Sequence, residues 1–194
     1  MNKAEKIIIN AFKREEEKER GLKIIIPNIE LANAHIAKAR HNIIVMDDLN
    51  RLGHTDWVAI IAYYAMYHGA TAISVRIGLD SKDHATTVAI LEYFFSEHID
   101  KELLEKFNEL KEKKDVIDRL VIEDKFLNYL WSAKNLRETA QYGTSTLITK
   151  SDESVDHAKE FILKIRTLIE KLDEDYVKIL LGQIEKLHKQ SKSY

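Results

Sequence analysis

One uncharged stretch, Trp57–Val75, constrains the fold of this chain more than any other feature. Asp56 and Arg76 close its two ends. At the period of an α-helix, apolar and small side chains fall on every side of the stretch. A helix that is apolar all round has to be surrounded by protein or by lipid. We therefore predict a central helix enclosed by a bundle of other helices.

Lipid is the less favoured surrounding for this stretch. Its length approaches the roughly 20 residues that a membrane-spanning helix needs. However, three tyrosines, a histidine and a serine make it a poor match to a hydrocarbon layer. The N-terminus carries charges from Lys3 onward and shows no hydrophobic signal. We therefore expect a soluble, cytoplasmic protein with no membrane partner.

The amino-acid composition excludes some classes of function and of binding site but does not identify the function. The formal net charge of -2 excludes a globally basic nucleic-acid binder but leaves room for a local basic groove. The absence of cysteine excludes disulfides and thiolate metal sites. A surface rich in lysine and glutamate, with little glutamine, is typical of a thermophile.

Apolar periodicity predicts helices on both sides of the central one. Helices are expected over residues 2–20, 29–52, 83–98, 103–110, 116–142, 151–172 and 177–187, with a short strand or extended arm over 22–26 and a tight link over 79–82. Pro27 is expected to start the second helix, Thr55 or Asp56 to cap the central helix, and Ser81 or Asp83 to cap the fourth.

No segment alternates like a strand over a useful length, so the predicted fold class is all-α. The expected architecture is an up-and-down helical bundle of four to five core helices with additional N- and C-terminal helices. We divide the chain into an N-terminal helix and arm over residues 1–26, the bundle over 27–172, and a C-terminal helix over 173–194 that packs on the bundle or extends it.

No familiar catalytic motif occurs. The sequence lacks a phosphate-binding glycine loop, a dinucleotide fingerprint, a zinc-binding histidine pair and a serine nucleophile elbow. No histidine–glutamate arrangement recurs on two helices, as a di-iron bundle would require. We therefore expect neither a metal site nor a cofactor.

His68 is the first candidate site residue. It lies on the apolar central helix, where a buried imidazole needs a hydrogen-bond partner. It is either a satisfied core histidine or a polar group that faces a groove between helices or a partner chain. Tyr64 shares its stripe of the helix, one turn earlier.

Two further sets of cations are candidates. Arg137 lies near the end of a long predicted helix, and Tyr142 could meet it where the helix frays before Gly143. The arginine could hold a phosphate or a carboxylate, or form a salt bridge with Glu138 or another acid. Arg76, Lys82 and His84 flank one predicted turn, where they could bind an anion at the next helix start or serve only in capping and solvation.

Three segments together resemble the HEPN family, which comprises small helical-bundle proteins of prokaryotes and some eukaryotes. Ala62–Ala70, AYYAMYHGA, is similar to a family segment AYYAMFHAA. The link with Ser81, Lys82 and His84 is similar to a family SK-x-H turn. Arg137–Tyr142, RETAQY, is similar to a family R-x-x-A-D-Y segment, with Gln141 where aspartate is common. The resemblance covers residues 29–172, and the three segments occur in the family's order.

The resemblance implies an all-α bundle that commonly pairs as a homodimer. Many family members are toxins that cut RNA without a metal, and others accompany a small nucleotidyltransferase in toxin–antitoxin pairs. The nuclease members carry arginine, four to six residues and then histidine, with two sites facing each other across the dimer. Here the window after Arg137 holds Tyr142, Gly143 and Thr144 instead, and seven residues separate Arg76 from His84.

The absence of a histidine in the window after Arg137 affects whether this chain could cleave RNA. Metal-free RNA cleavage needs a base for the 2′-hydroxyl and an acid for the leaving oxygen. Arginine stabilises negative charge but does not exchange protons near neutral pH. A tyrosine with an ordinary pKa of about 10 is a poor base at neutral pH.

Three hypotheses follow. The favoured one is a non-catalytic HEPN module that binds a nucleotide, RNA or a nucleotidyltransferase partner. Its binding residues would be Tyr64, His68, Arg76, Lys82, His84, Arg137 and Tyr142. The second is a divergent metal-independent endoribonuclease, toxin-like, with Arg137 and Tyr142 as catalytic residues. Arg137 would hold the phosphate, and Tyr142 or a nearby histidine would replace the missing base. The third is a purely structural helical oligomer.

Overall fold

Seven helices and one short two-stranded sheet make up the described part of the chain. The computed structural model describes residues 2–17, 19–96, 120–144 and 151–193. The helices are α1 Lys3–Glu16, α2 Ile29–Arg51, α3 Thr55–Arg76, α4 His84–Phe95, α5 Asp124–Tyr142, α6 Ser151–Lys171 and α7 Glu174–Ser191, and the strands are β1 Leu22–Ile24 and β2 Leu79–Ser81. The predicted all-α helical bundle is confirmed.

Helix α3 is the predicted central helix, and α2, α4, α5 and α6 pack around it. It is long and apolar enough to cross a membrane, but 72% of its apolar window is buried inside the bundle. Gly69 allows α6 to approach closely, because a Cβ atom at this position would lie 2.6 Å from the Ile162 side chain. Protein side chains thus provide the surroundings that the composition of α3 requires.

The link predicted over residues 79–82 is wrong, because residues 79–81 form a strand. This strand, β2, pairs antiparallel with β1. Leu22 lies opposite Ser81, and Ile24 lies opposite Leu79. Gly78 adopts a φ of 90° and turns the chain out of α3 toward this strand. The paired strand β2 therefore connects α3 to α4.

Three helix starts differ from the prediction. Pro27 precedes the N-cap residue Asn28 and is not the first helical residue. His54 is the N-cap of α3 without a side-chain cap bond, so neither Thr55 nor Asp56 caps that helix. Helix α7 starts at Glu174 rather than Val177, because the Asp173 side chain accepts hydrogen bonds from two backbone N–H groups of its first turn. The predicted Asp83 cap of α4 is confirmed.

Two long helices are shorter than predicted. Helix α1 ends at Glu16 instead of Arg20, because Gly21 folds back against the backbone of Glu15. Helix α5 begins at Asp124 instead of Val116, because Ile122 is extended and forms a bridge with Ser96. The helix predicted over 103–110 and the predicted helix ends over 97–98 and 116–119 lie outside the described residues.

Candidate functional site

Arg137, Tyr63 and His84 come together from three different helices. Tyr63 lies on α3 with its ring buried in the core. The Arg137 guanidinium of α5 lies over this ring, 5.1 Å from its centroid. The Tyr63 hydroxyl forms a hydrogen bond with Nδ1 of His84, the first residue of α4. We call these three residues the Arg–Tyr–His cluster.

The proton positions in this cluster follow from burial and pairing. Burial raises the pKa of Tyr63, so its hydroxyl stays protonated at neutral pH. Burial and then the Arg137 charge lower the pKa of His84, so its imidazole is neutral. The Tyr63 hydroxyl therefore donates to His84 Nδ1, and the imidazole proton resides on Nε2.

The opposite arrangement would leave a buried donor without an acceptor. If His84 Nδ1 donated to Tyr63, the phenolic proton of Tyr63 would have no partner among the described residues. A buried unsatisfied donor costs about 1–3 kcal/mol. His84 thus presents an N–H donor at Nε2, which has no hydrogen-bond acceptor among the described residues.

Arg137 is held by its own helix and does not contact Tyr142. Its side chain is only 12% exposed and lies 3.5 Å from Glu138 Oε1. Its Nη1 donates to Gln141 Oε1 at 2.8 Å, and its buried Nε has no partner among the described residues. Tyr142 is 74% exposed at the end of α5. The expected pairing of Arg137 with Tyr142 is therefore replaced by a bond to Gln141.

A network at the start of α4 positions His84. The Asp83 carboxylate caps α4 by accepting from the Thr86 backbone N–H at 2.8 Å and from the Thr86 hydroxyl at 2.6 Å. Arg14 of α1 donates to the same carboxylate at 2.7 Å. Burial alone would raise the pKa of Asp83, but the bonds from Thr86 and Arg14 bring it below its usual value. No pattern in the sequence indicated this role of Arg14.

His68 pairs with a second histidine. Its Nδ1 lies 3.1 Å from Nδ1 of His35 on α2, and the ring centroids are 5.3 Å apart. For this distance between the two Nδ1 atoms, the ring centroids are almost as far apart as they can be. The two Nδ1 atoms therefore point at each other and share one proton. Both rings are half-buried, and burial lowers the pKa of each. His68 is therefore a half-buried histidine of α3 whose described hydrogen-bond partner is His35 of α2.

Aromatic rings connect the two histidine sites. The Tyr67 ring lies 4.2 Å from the His84 ring and 6.4 Å from the His68 ring. It also stacks on Tyr63 at 6.2 Å. Tyr64 packs edge-on against Tyr63 and is half-buried. Tyr63 and Tyr67 are four residues apart on one helix face, so helical spacing contained a signal for this row of rings.

Arg76 and Lys82 lie apart from His84. Arg76 donates to the backbone carbonyl of Leu172 at the end of α6, and burial lowers its pKa. Lys82 pairs with Asp80 at 2.7 Å. The extended backbone of β2 separates the end of α3 from the start of α4. The structure therefore does not bring together the three cations that flank the predicted turn.

The described residues contain no group of three histidine or carboxylate side chains that could hold a metal ion. What they contain is a half-buried set of hydrogen-bond donors beside aromatic rings. Lys134, Arg137 and Arg14 stand against Glu138 and Asp83 at this place, which leaves a local excess of one positive charge. Such a set can bind an anion attached to a planar group.

This helical bundle, with the Arg–Tyr–His cluster beside its central helix, falls within one known class of small all-α domains. A family model described as HEPN domain matches residues 32–175, which is more than half of the chain. The chain therefore belongs to the HEPN domain family. A search of curated proteins gives no match.

Proposed function

We propose that this HEPN-domain chain is a binding module for RNA or a nucleotide, with Arg137 and His84 as its phosphate contacts. The observation that carries the proposal is the convergence of Arg137 of α5 and His84 of α4 on Tyr63. A guanidinium and an imidazole N–H both donate, and neither accepts. Two such donors on separate helices favour a bound oxyanion.

Arg137 has N–H donors that its neighbours do not occupy. A guanidinium carries five N–H donors, and the contacts with Gln141 and Glu138 occupy at most two of those on Arg137. Partial burial strengthens a hydrogen bond from a charged donor to phosphate, because less water screens it. Arg137, whose side chain is 12% exposed, is therefore a stronger anion contact than a fully exposed arginine would be.

The neighbouring rings suit a nucleobase. Tyr64 and Tyr67 are half-buried on α3, so part of each side chain meets solvent. Tyr142 offers a more exposed ring at the end of the helix that carries Arg137. Stacking of a base on an aromatic side chain contributes about 1–3 kcal/mol and tolerates any base. Phosphate contacts beside stacking faces favour a single-stranded ligand over a duplex.

Cleavage is the second candidate function, and one observation favours it. The structure brings a histidine to Arg137 from α4, although the sequence window after Arg137 lacks one. A metal-independent endoribonuclease needs that histidine as a proton acceptor. With its proton on Nε2, His84 does not supply an acceptor there, so binding is the better supported function.

Binding and cleavage can be tested on the same samples. We would measure fluorescence anisotropy of a labelled twelve-nucleotide single-stranded RNA in EDTA, followed by electrophoresis of the same mixture. We expect Arg137→Ala and His84→Ala each to weaken binding about tenfold, equivalent to about 1.4 kcal/mol. Arg51→Ala is the matched control, because Arg51 is a largely exposed arginine that pairs only within α2.

Three results would separate the hypotheses. Unchanged affinity in both cluster variants would contradict the proposed site. Cleavage by the wild type in EDTA that disappears in both variants would establish the endoribonuclease instead. Equal weakening in the Arg51→Ala control would show that the RNA responds only to net charge.

A further inference from the structure

A second groove lies on the other side of α2, between α2 and α6. It has a volume of about 270 Å³, and its lining includes Asn33 and Arg40 of α2 and Arg166 and Glu170 of α6. His35, which faces the aromatic rings, projects from a different side of α2. This α2–α6 groove is therefore separate from the Arg–Tyr–His cluster.

Two exposed apolar side chains extend the groove. Arg40 of α2 and Arg166 of α6 lie opposite each other across the groove. One to two helical turns further along the two helices, Asp47 of α2 pairs with Lys159 of α6 at 2.8 Å. Ile44 lies between Arg40 and Asp47 on the same stripe of α2.

Leu163 lies between Lys159 and Arg166 on the facing stripe of α6. Ile44 is 62% exposed and Leu163 is 63% exposed. The surface thus presents two large apolar side chains next to two guanidinium groups.

The charges of this surface do not cancel. Arg40 is exposed and has no ion pair within the described residues. Arg166 approaches Glu170 only to 3.8 Å, and Glu170 is itself largely exposed. Lys159 already neutralises Asp47. The groove therefore carries an excess positive charge that an incoming carboxylate would balance.

A second copy of the chain is a poor occupant. A two-fold contact places a surface against its own copy. Arg40 and Arg166 would then meet the same two arginines, which is unfavourable without intervening acids. A nucleic-acid backbone is also a poor fit, because it gains nothing from the apolar side chains of Ile44 and Leu163.

We infer that the α2–α6 groove docks a helical segment of a partner protein that presents leucine-like side chains beside carboxylates. An amphipathic helix laid in a groove between two helices buries its apolar face and places flanking acids at the rim. Ile44 and Leu163 would contact the apolar face, and Arg40 and Arg166 would pair with the acids.

The test uses two defined helical peptides of sixteen residues. One carries leucines along one face with flanking glutamates, and the other is identical except for lysine in place of glutamate. Fluorescence anisotropy would be measured with the wild type and with Arg40→Glu, Ile44→Ser and Lys38→Glu. Lys38→Glu is the matched control, because Lys38 is exposed on α2 outside the groove.

We expect the acidic peptide to bind with saturation, and Arg40→Glu and Ile44→Ser each to weaken it at least tenfold. Lys38→Glu should change its affinity less than twofold. Absence of saturable binding, equal binding of the lysine peptide, or indifference to Arg40→Glu would overturn the inference.

Two further measurements assign the groove to other occupants. Sedimentation velocity that shows a dimer lost in Ile44→Ser would make the groove a contact between copies of this chain. RNA binding that Arg40→Glu abolishes and Arg137→Ala preserves would make it a nucleic-acid site. Either result would overturn the protein-partner assignment. The second would also contradict the proposed function, whereas a failed peptide test leaves that function standing.

Discussion

The hydroxyl group of Tyr63 decides which nitrogen of His84 carries the proton, and Tyr63→Phe removes that group alone. Phenylalanine keeps the ring that Arg137 covers and leaves no large cavity. The change deletes one hydrogen bond between side chains of α3 and α4. One such bond contributes about 0.5–1.5 kcal/mol net. We therefore expect Tyr63→Phe to lower the free energy of unfolding by about 1 kcal/mol.

The larger consequence concerns the imidazole. Without the phenolic donor, His84 Nδ1 can hold the proton itself, so the Nε2–H form is no longer enforced. In the wild type we expect the ¹⁵N shifts of His84 to report a protonated Nε2 and an unprotonated Nδ1. In Tyr63→Phe the two nitrogens should move toward a mixture. RNA affinity should fall about threefold to tenfold, equivalent to roughly 0.7–1.4 kcal/mol.

Urea denaturation and nitrogen NMR measure these two effects separately. Tyr142→Phe is the matched control, because Tyr142 is exposed and has no described contact with any of the three cluster members. A wild-type His84 that carries its proton on Nδ1 would refute the proton assignment. Loss of more than about 3 kcal/mol would show that the ring, and not only the hydroxyl, had been disturbed.

Three further predictions concern pH, packing and assembly. The pKa values of His35, His68 and His84 are lowered in the folded chain, so the unfolded chain binds more protons, and the urea midpoint should fall as the pH drops below 6.5. His35→Gln should reduce that dependence. Gly69→Val should cost about 1–3 kcal/mol by crowding Ile162, whereas Gly182→Ala, where a Cβ meets no atom within 4 Å, should not destabilise the chain. The homodimer remains a prediction, and exposed Trp57 and Leu52 at the α2–α3 turn lead us to expect Trp57→Ser to weaken it by sedimentation velocity.

The sequence predicted the helical architecture because its signals are local. The uncharged stretch marked α3 as the central helix, and the bundle that encloses it follows from its apolar faces. The strand at residues 79–81 was missed because its pairing with residues 22–24 joins segments far apart in the chain. Three residues carry too little alternation to reveal a strand.

The candidate site was only partly accessible to sequence reasoning. Arg137 and His84 were both singled out, but each was grouped with its neighbours in sequence, Tyr142 and Arg76 respectively. The structure joins the two residues through Tyr63, which the sequence analysis placed among apolar positions of the central helix. The family resemblance had placed Arg137 and His84 in one set of binding residues, but contacts between helices do not follow from the periodicity of any one helix, so their junction through Tyr63 had no sequence signal.

The location of one proton separates the two candidate functions of this cluster. Arg137 would stabilise a phosphate in either case, since its charge does not depend on its neighbours. His84 binds phosphate when Nε2 carries the proton, and it can accept a proton from a 2′-hydroxyl when Nε2 is free. The Tyr63 hydroxyl selects the first state. If the wild type binds RNA without cutting it, Tyr63→Phe should permit slow cleavage in EDTA that Arg137→Ala removes. A Tyr63→Phe protein that still binds RNA but never cuts it would show that the missing acid, and not the position of this proton, is what prevents catalysis.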